Sequence, residues 1–448
     1  MKVAHPDLID VQALRVGMFV HLDMGWMSHP FPTSSFKISS PAQIATIRSL
    51  GLKRVYWSPQ QSDATVGGVV PAQTRPADLV DAAPPGAARA TANADVAEVP
   101  TDEVAAAEAA QREARERAMR RRRLVVQRAA QKAAQRQYAA ATQAFKQAAA
   151  LVLVRPADAR AEAETLTRTL IDKMVGDGEL TVRLLTESTG DNASAHAVNV
   201  SVVSMLMGRC FGFDEAELLD LGLGALLHDI GKIKLPSRLH HFDESLLPSE
   251  KRAYREHVAL GAALAESMQL TPGATAVIEQ HHEAVNGSGF PAGLNGDRIT
   301  LAARIVALVN RYDKLCNPPA AARALTPHEA LSTLFANGQA TFDATLLNRF
   351  IKMMGVYPPG STVQLTDDRY AMVVSVNSTR PLKPRVLVYE PSVPREEALH
   401  LDLETADGIG VRRSIKPTHL PRPALDYLAP AQRVAYFFEP FTPELEPA

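Results

Sequence analysis

Apolar positions recur along this chain with different periods, and the changes of period mark its elements. Arg15 to Leu22 (RVGMFVHL) alternates over β-rich residues, which predicts a strand. Pro41 to Leu50 (PAQIATIRSL) then has Ser40 as N-cap, Pro41 at the first helical position, and Ile44 and Ile47 on one face. Gly51 ends that helix, and LKRVYW returns as a strand. Together they predict a small α/β unit over residues 1–58, with Trp26 and Trp57 in its core. Residues 59–100 are rich in Ala, Pro, Thr, Gly and Asp and show no period, so a disordered linker is expected. From Thr101 to Leu153 there is no Gly or Pro, and Ala, Gln, Arg and Glu dominate. That composition predicts a long helix in segment 101–156, capped by Thr101 or Asp102, with a weak heptad pattern because most apolar positions are Ala. Its surface is a candidate for protein docking or self-association, and the run Arg120 to Arg123 reads as a solvated face.

Residues 157–353 repeat apolar positions at helical spacing, segment after segment, which predicts an all-helical body. After Gly355 the runs STVQL, YAMVVSVN and PRVLVYE are β-rich and separated by turn residues. A small antiparallel β module is expected over 356–448, and the chain as a whole reads as mainly α. Its 448 residues exceed one ordinary domain, and 46% hydrophobic content suffices for a sizeable core. Forty-eight basic against 49 acidic residues leave a formal charge of −1, which argues against a chain that coats nucleic acid or an anionic membrane. Cys210 and Cys316 are the two cysteines and form no CxxC pair, so a disulfide framework and a thiolate zinc site are excluded. No run approaches the roughly 20 apolar residues of a membrane span. The N-terminal MKVAHPDLID has no apolar signal core, and a cytoplasmic protein is expected.

The chemistry concentrates in the helical body. His196 shares a stripe with Val200, Val203 and Met207. His228 follows Leu218, Leu221 and Ala225 at the same spacing and is followed by Asp229; His257 precedes Gly261 and Leu264; His281 and His282 come one turn after Val277 and Ile278. One core histidine is unremarkable, but five with an aspartate need a common partner to be buried together. Neutral imidazole and carboxylate suit Fe, Mn, Zn and similar cations. A His-Asp pair can serve two ions if it sits at a helix end, and Gly231 supplies that end. The run Asn286 to Gly289 lets backbone N–H groups approach a phosphate or guanine; an ordinary tight turn is the competing explanation. His240-His241 reads as a loop pair, and His5, His21, His29, His328, His400 and His419 have no ligand-like neighbours.

HDIGK at His228 to Lys232, H-x-x-x-G at His257 to Gly261 and HHEAVNGSGFP at His281 to Pro291 together resemble an HD-GYP domain, a branch of the HD metal-dependent phosphohydrolases. The resemblance covers residues 160–352. The segment VGMFVHLDMGWMSHPF is similar to a domain of unknown function that commonly precedes HD-GYP domains. The resemblance implies metal ligation by His196, His228, Asp229, His257, His281 and His282, with Asn310 at the position of a further ligand aspartate. It implies a phosphate grip by Lys232, iron or manganese ions, and hydrolysis of cyclic di-GMP to pGpG and, in some members, GMP. Lys232 and Asp229 are then the catalytic pair. Lys232, Asn286, Gly287, Gly289, Phe290, Pro291 and Arg323 are the candidate substrate contacts. The chain departs from the pattern at Asn310, which removes one negative charge, and at Asn192, where a glutamate supports a third ion in some members, so two ions are expected. It departs again at Phe290, which replaces the signature tyrosine, and in NPPAAARAL, where Arg323 alone stands in for an arginine segment. The leading expectation is a metal-dependent cyclic di-GMP phosphodiesterase. A catalytically weak module that senses the nucleotide or docks a partner is the alternative, and hydrolysis of another nucleotide is a third.

Overall fold

The computed structural model describes residues 7–22, 35–38, 40–50, 52–58, 62, 101–174, 180–185, 191–243, 245–338, 340–377 and 379–440. The linker expected over 59–100, apart from Ser62, lies outside the described residues, as do Trp26, Gly51, His5 and His29. Two compact units result, Met1–Arg123 and Leu124–Ala448.

In the first unit, strands β1 (Asp7–Asp10), β2 (Phe19–His21) and β3 (Ser35–Lys37) precede helix α1 (Pro41–Ser49) and strand β4 (Arg54–Ser58). The strands form an antiparallel sheet in the order β1-β4-β2-β3. Ser40 caps α1 as its sequence predicts, accepting from the Gln43 N–H, and Ile47 closes a core of Val11, Leu14, Val20, Leu22, Ile38 and Val55. Trp57 packs at the edge of this core and donates its indole N–H to Ser62 at 2.8 Å. Helix α2 (Thr101–Leu151) begins in this unit, with Thr101 already in the helix rather than before it.

The second half of α2 opens the second unit. Ala134, Tyr138, Ala141, Phe145 and Ala148 form a buried stripe at helical spacing, so the alanines that blur the heptad are the packing face. Val125 and Val126 of the same helix are exposed. Helices α3 (Pro156–Met174), α4 (Asn192–Cys210), α5 (Glu215–Leu227), α6 (Pro248–Arg255), α7 (His257–Ser267), α8 (Pro272–Gln280), α9 (Leu301–Cys316), α10 (Pro327–Gly338) and α11 (Ala344–Met354) form the helical body. Local signals place their ends: Asp191 caps α4, Asp214 and Glu217 make a capping box on α5, and Thr271 and Thr300 cap α8 and α9.

The body is not wholly helical, and the β module is not separate. Strand β5 (Leu180–Leu185) lies between α3 and α4. It joins β6 (Thr362–Leu365), β7 (Tyr370–Asn377), β8 (Arg385–Val388), β9 (His400–Asp402), β10 (Val411–Ser414) and β11 (Ala435–Pro440) in one seven-stranded antiparallel sheet. The path runs β10-β6-β7-β5-β11, with β8 also on β7 and β9 on β8; a short helix α12 (Arg422–Leu428) precedes β11. β5 pairs with β11 from Leu185↔Ala435 to Leu180↔Pro440 and with β7 at Thr181↔Asn377. The physical reason is burial: all six side chains of LTVRLL are buried, which requires cover on both faces. One hydrophobic core therefore runs from α2 through the helices to Tyr436, Phe437 and Phe438.

Candidate metal centre

Three of the ligand-like histidines stand at helix ends rather than in mid-helix stripes. His228 is the C-cap of α5, His257 is the first residue of α7, and His281 is the C-cap of α8. Each turns its Nδ1 onto the carbonyl three residues back: His228 on Ala225 at 2.7 Å, His257 on Tyr254 at 2.6 Å, His281 on Ile278 at 2.8 Å. A carbonyl can only accept, so Nδ1 carries the proton and Nε2 is left with its lone pair. His196, in the second turn of α4, does the same with a carboxylate, donating Nδ1–H to Asp313 Oδ2 at 2.6 Å.

The four Nε2 atoms converge on Asp229, which opens the short 3-10 turn Ile230–Lys234 after α5. Oδ2 lies 3.6 Å from His196 Nε2 and 3.3 Å from His228 Nε2. Oδ1 lies 3.4 Å from His257 Nε2 and 3.7 Å from His281 Nε2. One carboxylate therefore serves two neighbouring donor groups, Asp229–His257–His281–His282 and His196–His228–Asp229. Gly231 makes this possible: a Cβ there would stand 2.0 Å from the His257 carbonyl oxygen and 2.5 Å from Gly261 N, so the Asp229 turn packs directly on the start of α7. The sequence reading gave Gly231 only the duty of ending a helix.

Burial sets the charge states. It pushes His257 down to about 3, His281 down to about 4, and His228 and His282 below their ordinary value. These rings are neutral at pH 7. Burial works against a charge on His196 as well, but the neighbouring carboxylates of Asp229 and Asp313 outweigh it and raise the ring. Burial alone would raise Asp229; Lys232 and then Lys314 hold it well below the usual carboxylate range.

The donors fit a divalent cation. Neutral His257 and His281 point bare Nε2 lone pairs at each other across 3.4 Å, a repulsion that a cation relieves. Asp229 Oδ1, His282 Nε2 and Asn310 Oδ1 are buried without a hydrogen-bond partner among the described residues. Imidazole nitrogens with carboxylate and amide oxygens are ordinary ligands for such ions.

The remaining predicted residues are spread around and beyond the cluster. Lys232 Nζ sits 2.6 Å from Asp229 Oδ2 and over the ring of Tyr254. Asn310 is buried on α9, on the face shared with Asp313 and Lys314 one turn later, both of which reach the cluster. Phe290 stacks on His282, ring centroids 4.4 Å apart and planes 19° apart, while Arg255 covers Phe290. Arg323 stands apart from the cluster, exposed on the turn Ala321–Arg323 and paired with Asp243. Asn192 is exposed at the start of α4.

The run Asn286 to Gly289 folds as a tight turn that uses several of its own backbone donors. Gly287 N–H donates to Ala284, Ser288 N–H to Asn286 Oδ1 and Phe290 N–H to His282, so these donors are spent inside the loop. A Cβ on Gly289 would come within 2.5 Å of the His282–Ala284 backbone, which explains that glycine by close approach. Glu283 holds the far side of the loop through Ala292 N–H and Leu294 N–H, leading to Pro291 and beyond.

Sequence reasoning missed Asp313, Lys314, Asn199, Asn317 and His241. Asp313 Oδ1 accepts from the side-chain amides of Asn199 at 3.0 Å and Asn317 at 2.9 Å, which leaves Oδ2 aimed at His196. His241 was set aside with His240 as loop; burial and then the nearby Lys232 charge lower it, so it borders the site, while His240 bonds back to Leu235.

Residues 181–346 match the family model described as HD domain, and residues 8–174 match the domain of unknown function DUF3391. The HD-domain match falls on the helical body. An HD domain implies divalent-metal binding, in agreement with the donor set. A cyclic di-GMP phosphodiesterase of Pseudomonas aeruginosa is 28% identical over 392 residues, 85% of this chain and 84% of that protein. The cyclic di-GMP phosphodiesterase response regulator RpfG of Xanthomonas campestris pv. campestris is 32% identical over 162 residues, 36% of this chain and 43% of its own. The 3'3'-cGAMP-specific phosphodiesterase 3 of Vibrio cholerae is 27% identical over 165 residues, 37% of this chain and 36% of its own. Among the described residues, no helix is long and apolar enough to cross a membrane.

Proposed function

We propose that this HD domain is a metal-dependent cyclic di-GMP phosphodiesterase of the HD-GYP type, which hydrolyses the 3',5' phosphodiester to pGpG and on to GMP. The observation that carries the reading is the convergence of four imidazole Nε2 atoms on both oxygens of Asp229, with Lys232 beside it. His196, His228, Asp229, His257, His281, His282 and Asn310 would hold two ions. Iron or manganese is favoured over zinc by a nitrogen-rich set with one carboxylate and no thiolate. When bound, such ions supply Lewis acidity toward a phosphoryl oxygen and activate water for in-line attack on phosphorus.

The chain's own residues do the rest. Asp229 joins the two donor groups, and the Nδ1 bonds fix each ring's tautomer and direction. Lys232 presents a cation to the scissile phosphate; Asp229 first, then Tyr254, raise it against the opposing effect of burial, so it stays charged at working pH. Phe290 stacks on the His282 ring and covers that face of it. The substrate reading carries a cytoplasmic location with it.

The named relatives include a 3'3'-cGAMP-specific enzyme, and nothing in a metal and lysine site selects the base. The test loads the protein anaerobically, measures metal per chain, and incubates it with cyclic di-GMP and 3'3'-cGAMP in parallel, with chromatography of products. Cyclic di-GMP should be the faster substrate. No turnover of either at stoichiometric metal would refute the enzymatic reading and favour a sensing module.

A further inference from the structure

We propose that Lys314 is a second phosphate-binding cation of this site, which takes hold of the substrate together with Lys232. The inference rests on the phosphodiester reading above and adds a residue that the motifs do not contain. Lys314 lies on α9, one turn after Asn310 and next to Asp313. Its side chain is 32% exposed, but that exposure belongs to the stem: Nζ itself is buried and has no hydrogen-bond acceptor among the described residues. Its nearest carboxylate oxygen is Asp229 Oδ2 at 3.9 Å, an ion pair too long for a hydrogen bond. That oxygen already receives Lys232 at 2.6 Å.

An ammonium group carries three N–H donors, and desolvating all of them without an acceptor is costly unless a ligand provides one. The surroundings say which kind. Lys314 faces Asp229, His196, His228, His281 and His282. Asp229 is the carboxylate among these; Asp313, the preceding residue on α9, is engaged by His196, Asn199 and Asn317. With divalent ions bound, the pocket is left strongly positive, and Asn310 contributes no charge to offset Lys314. An anionic oxygen of a phosphodiester or phosphate monoester is the group that meets an ammonium here. If Lys314 served only to hold Asp229, it would duplicate Lys232 at a worse distance.

The experiment titrates inorganic phosphate calorimetrically into the metal-loaded protein, its Lys314→Met variant and its Lys314→Arg variant, with metal content measured on the same samples. Lys314→Met should bind phosphate about 10- to 100-fold more weakly, the loss expected for one hydrogen bond to a charged group. It should raise KM for cyclic di-GMP in parallel, with metal per chain unchanged and most of the affinity restored in Lys314→Arg. Phosphate affinity equal to the parent's in Lys314→Met would overturn the proposal, including where metal affinity rises because Asp229 has lost a neighbour. Should the methionine lower the melting temperature, Lys314→Gln carries the same readout. Lys314-dependent phosphate binding in a protein that cleaves no cyclic di-GMP would leave this inference standing and overturn the phosphodiesterase reading instead.

Discussion

Replacing Gly231 with alanine tests how the centre is built. The added Cβ would stand 2.0 Å from the His257 carbonyl oxygen and 2.5 Å from Gly261 N, where ordinary contact begins at 3.4 Å. The first strand of backbone in its way must retreat by about 1.4 Å, and that backbone is the start of α7, which carries His257. His257 Nε2 stands 3.4 Å from both Asp229 Oδ1 and His281 Nε2, whereas metal–ligand distances tolerate roughly 0.2 Å. The variant should lose about 3 kcal/mol of stability, the upper end for overpacking against atoms that cannot rotate away. It should also bind the ion at His257, His281 and His282 roughly 10- to 100-fold more weakly. Gly261→Ala is the control within the same motif set. Its Cβ meets Ile278 Cγ2 at 3.0 Å, a methyl that can shift, and alanine gains about 1 kcal/mol of helix propensity over glycine. Thermal melts with and without manganese, and an equilibrium metal titration, separate the two. Parental behaviour of Gly231→Ala, or equal damage from Gly261→Ala, would refute the packing argument.

Asp313→Asn should weaken one of two ions by roughly 10- to 100-fold and leave the other, because only His196 loses the carboxylate that fixes its tautomer; a metal titration with one unchanged step checks it. Asn310→Asp should tighten the weaker ion by about 1–2 kcal/mol, since it adds a charge at an isosteric buried position whose oxygen has no partner; superimposable titrations would remove Asn310 from the ligand set. The metal-free protein should lose stability in acid. His257 and His281 stay neutral in the fold down to about 3 and about 4, while the unfolded chain protonates them near 6.5. Their contribution is complete above 6.5 and falls by about 1.4 kcal/mol per ring for each pH unit below it. His196 is raised, so its contribution runs the other way: present below 6.5 and fading as pH rises through its folded value. Urea denaturation at pH 5.5 and 7.5 should show the lower stability at 5.5, and the reverse order would contradict the burial argument.

The motif histidines were legible because their order along the chain is local information, whereas the reason they meet is not. Core-facing periodicity selected His196, His228, His257, His281 and His282, yet three of them owe their direction to helix ends, where Nδ1 reaches back to a carbonyl three residues earlier. Asp313 and Lys314 carried no such signal. Their meaning depends on α9 packing against α4 and the Asp229 turn, contacts between residues more than 80 apart in sequence. The Gly-rich run stayed open between two readings for a related reason. Glycine permits both a donor-rich cradle and a close approach of backbones, and only the neighbours of Gly289 decide between them.

Strand β5 shows why the β region read as an appendage. LTVRLL is a six-residue run buried on both faces, and such a run has no alternation to distinguish it from a helical turn. Its partner β11 lies some 250 residues later, so neither strand announces the other. The pairing matters for the site. β11 arrives beside α4 and α9, where Asn317 binds Val434 through both its carbonyl and its N–H, and Asn199 binds the Val434 carbonyl and the Tyr436 N–H. Those two asparagines are the ones that hold Asp313 Oδ1 and so direct Oδ2 to His196. Tyr138 of α2 adds its hydroxyl to Asn199 Oδ1 at 3.0 Å. The long helix and the last strand thus reach His196 through one shared asparagine. Tyr138→Phe removes that hydroxyl, and a metal titration should show the connection as weaker binding of the ion at His196 rather than as a simple loss of stability.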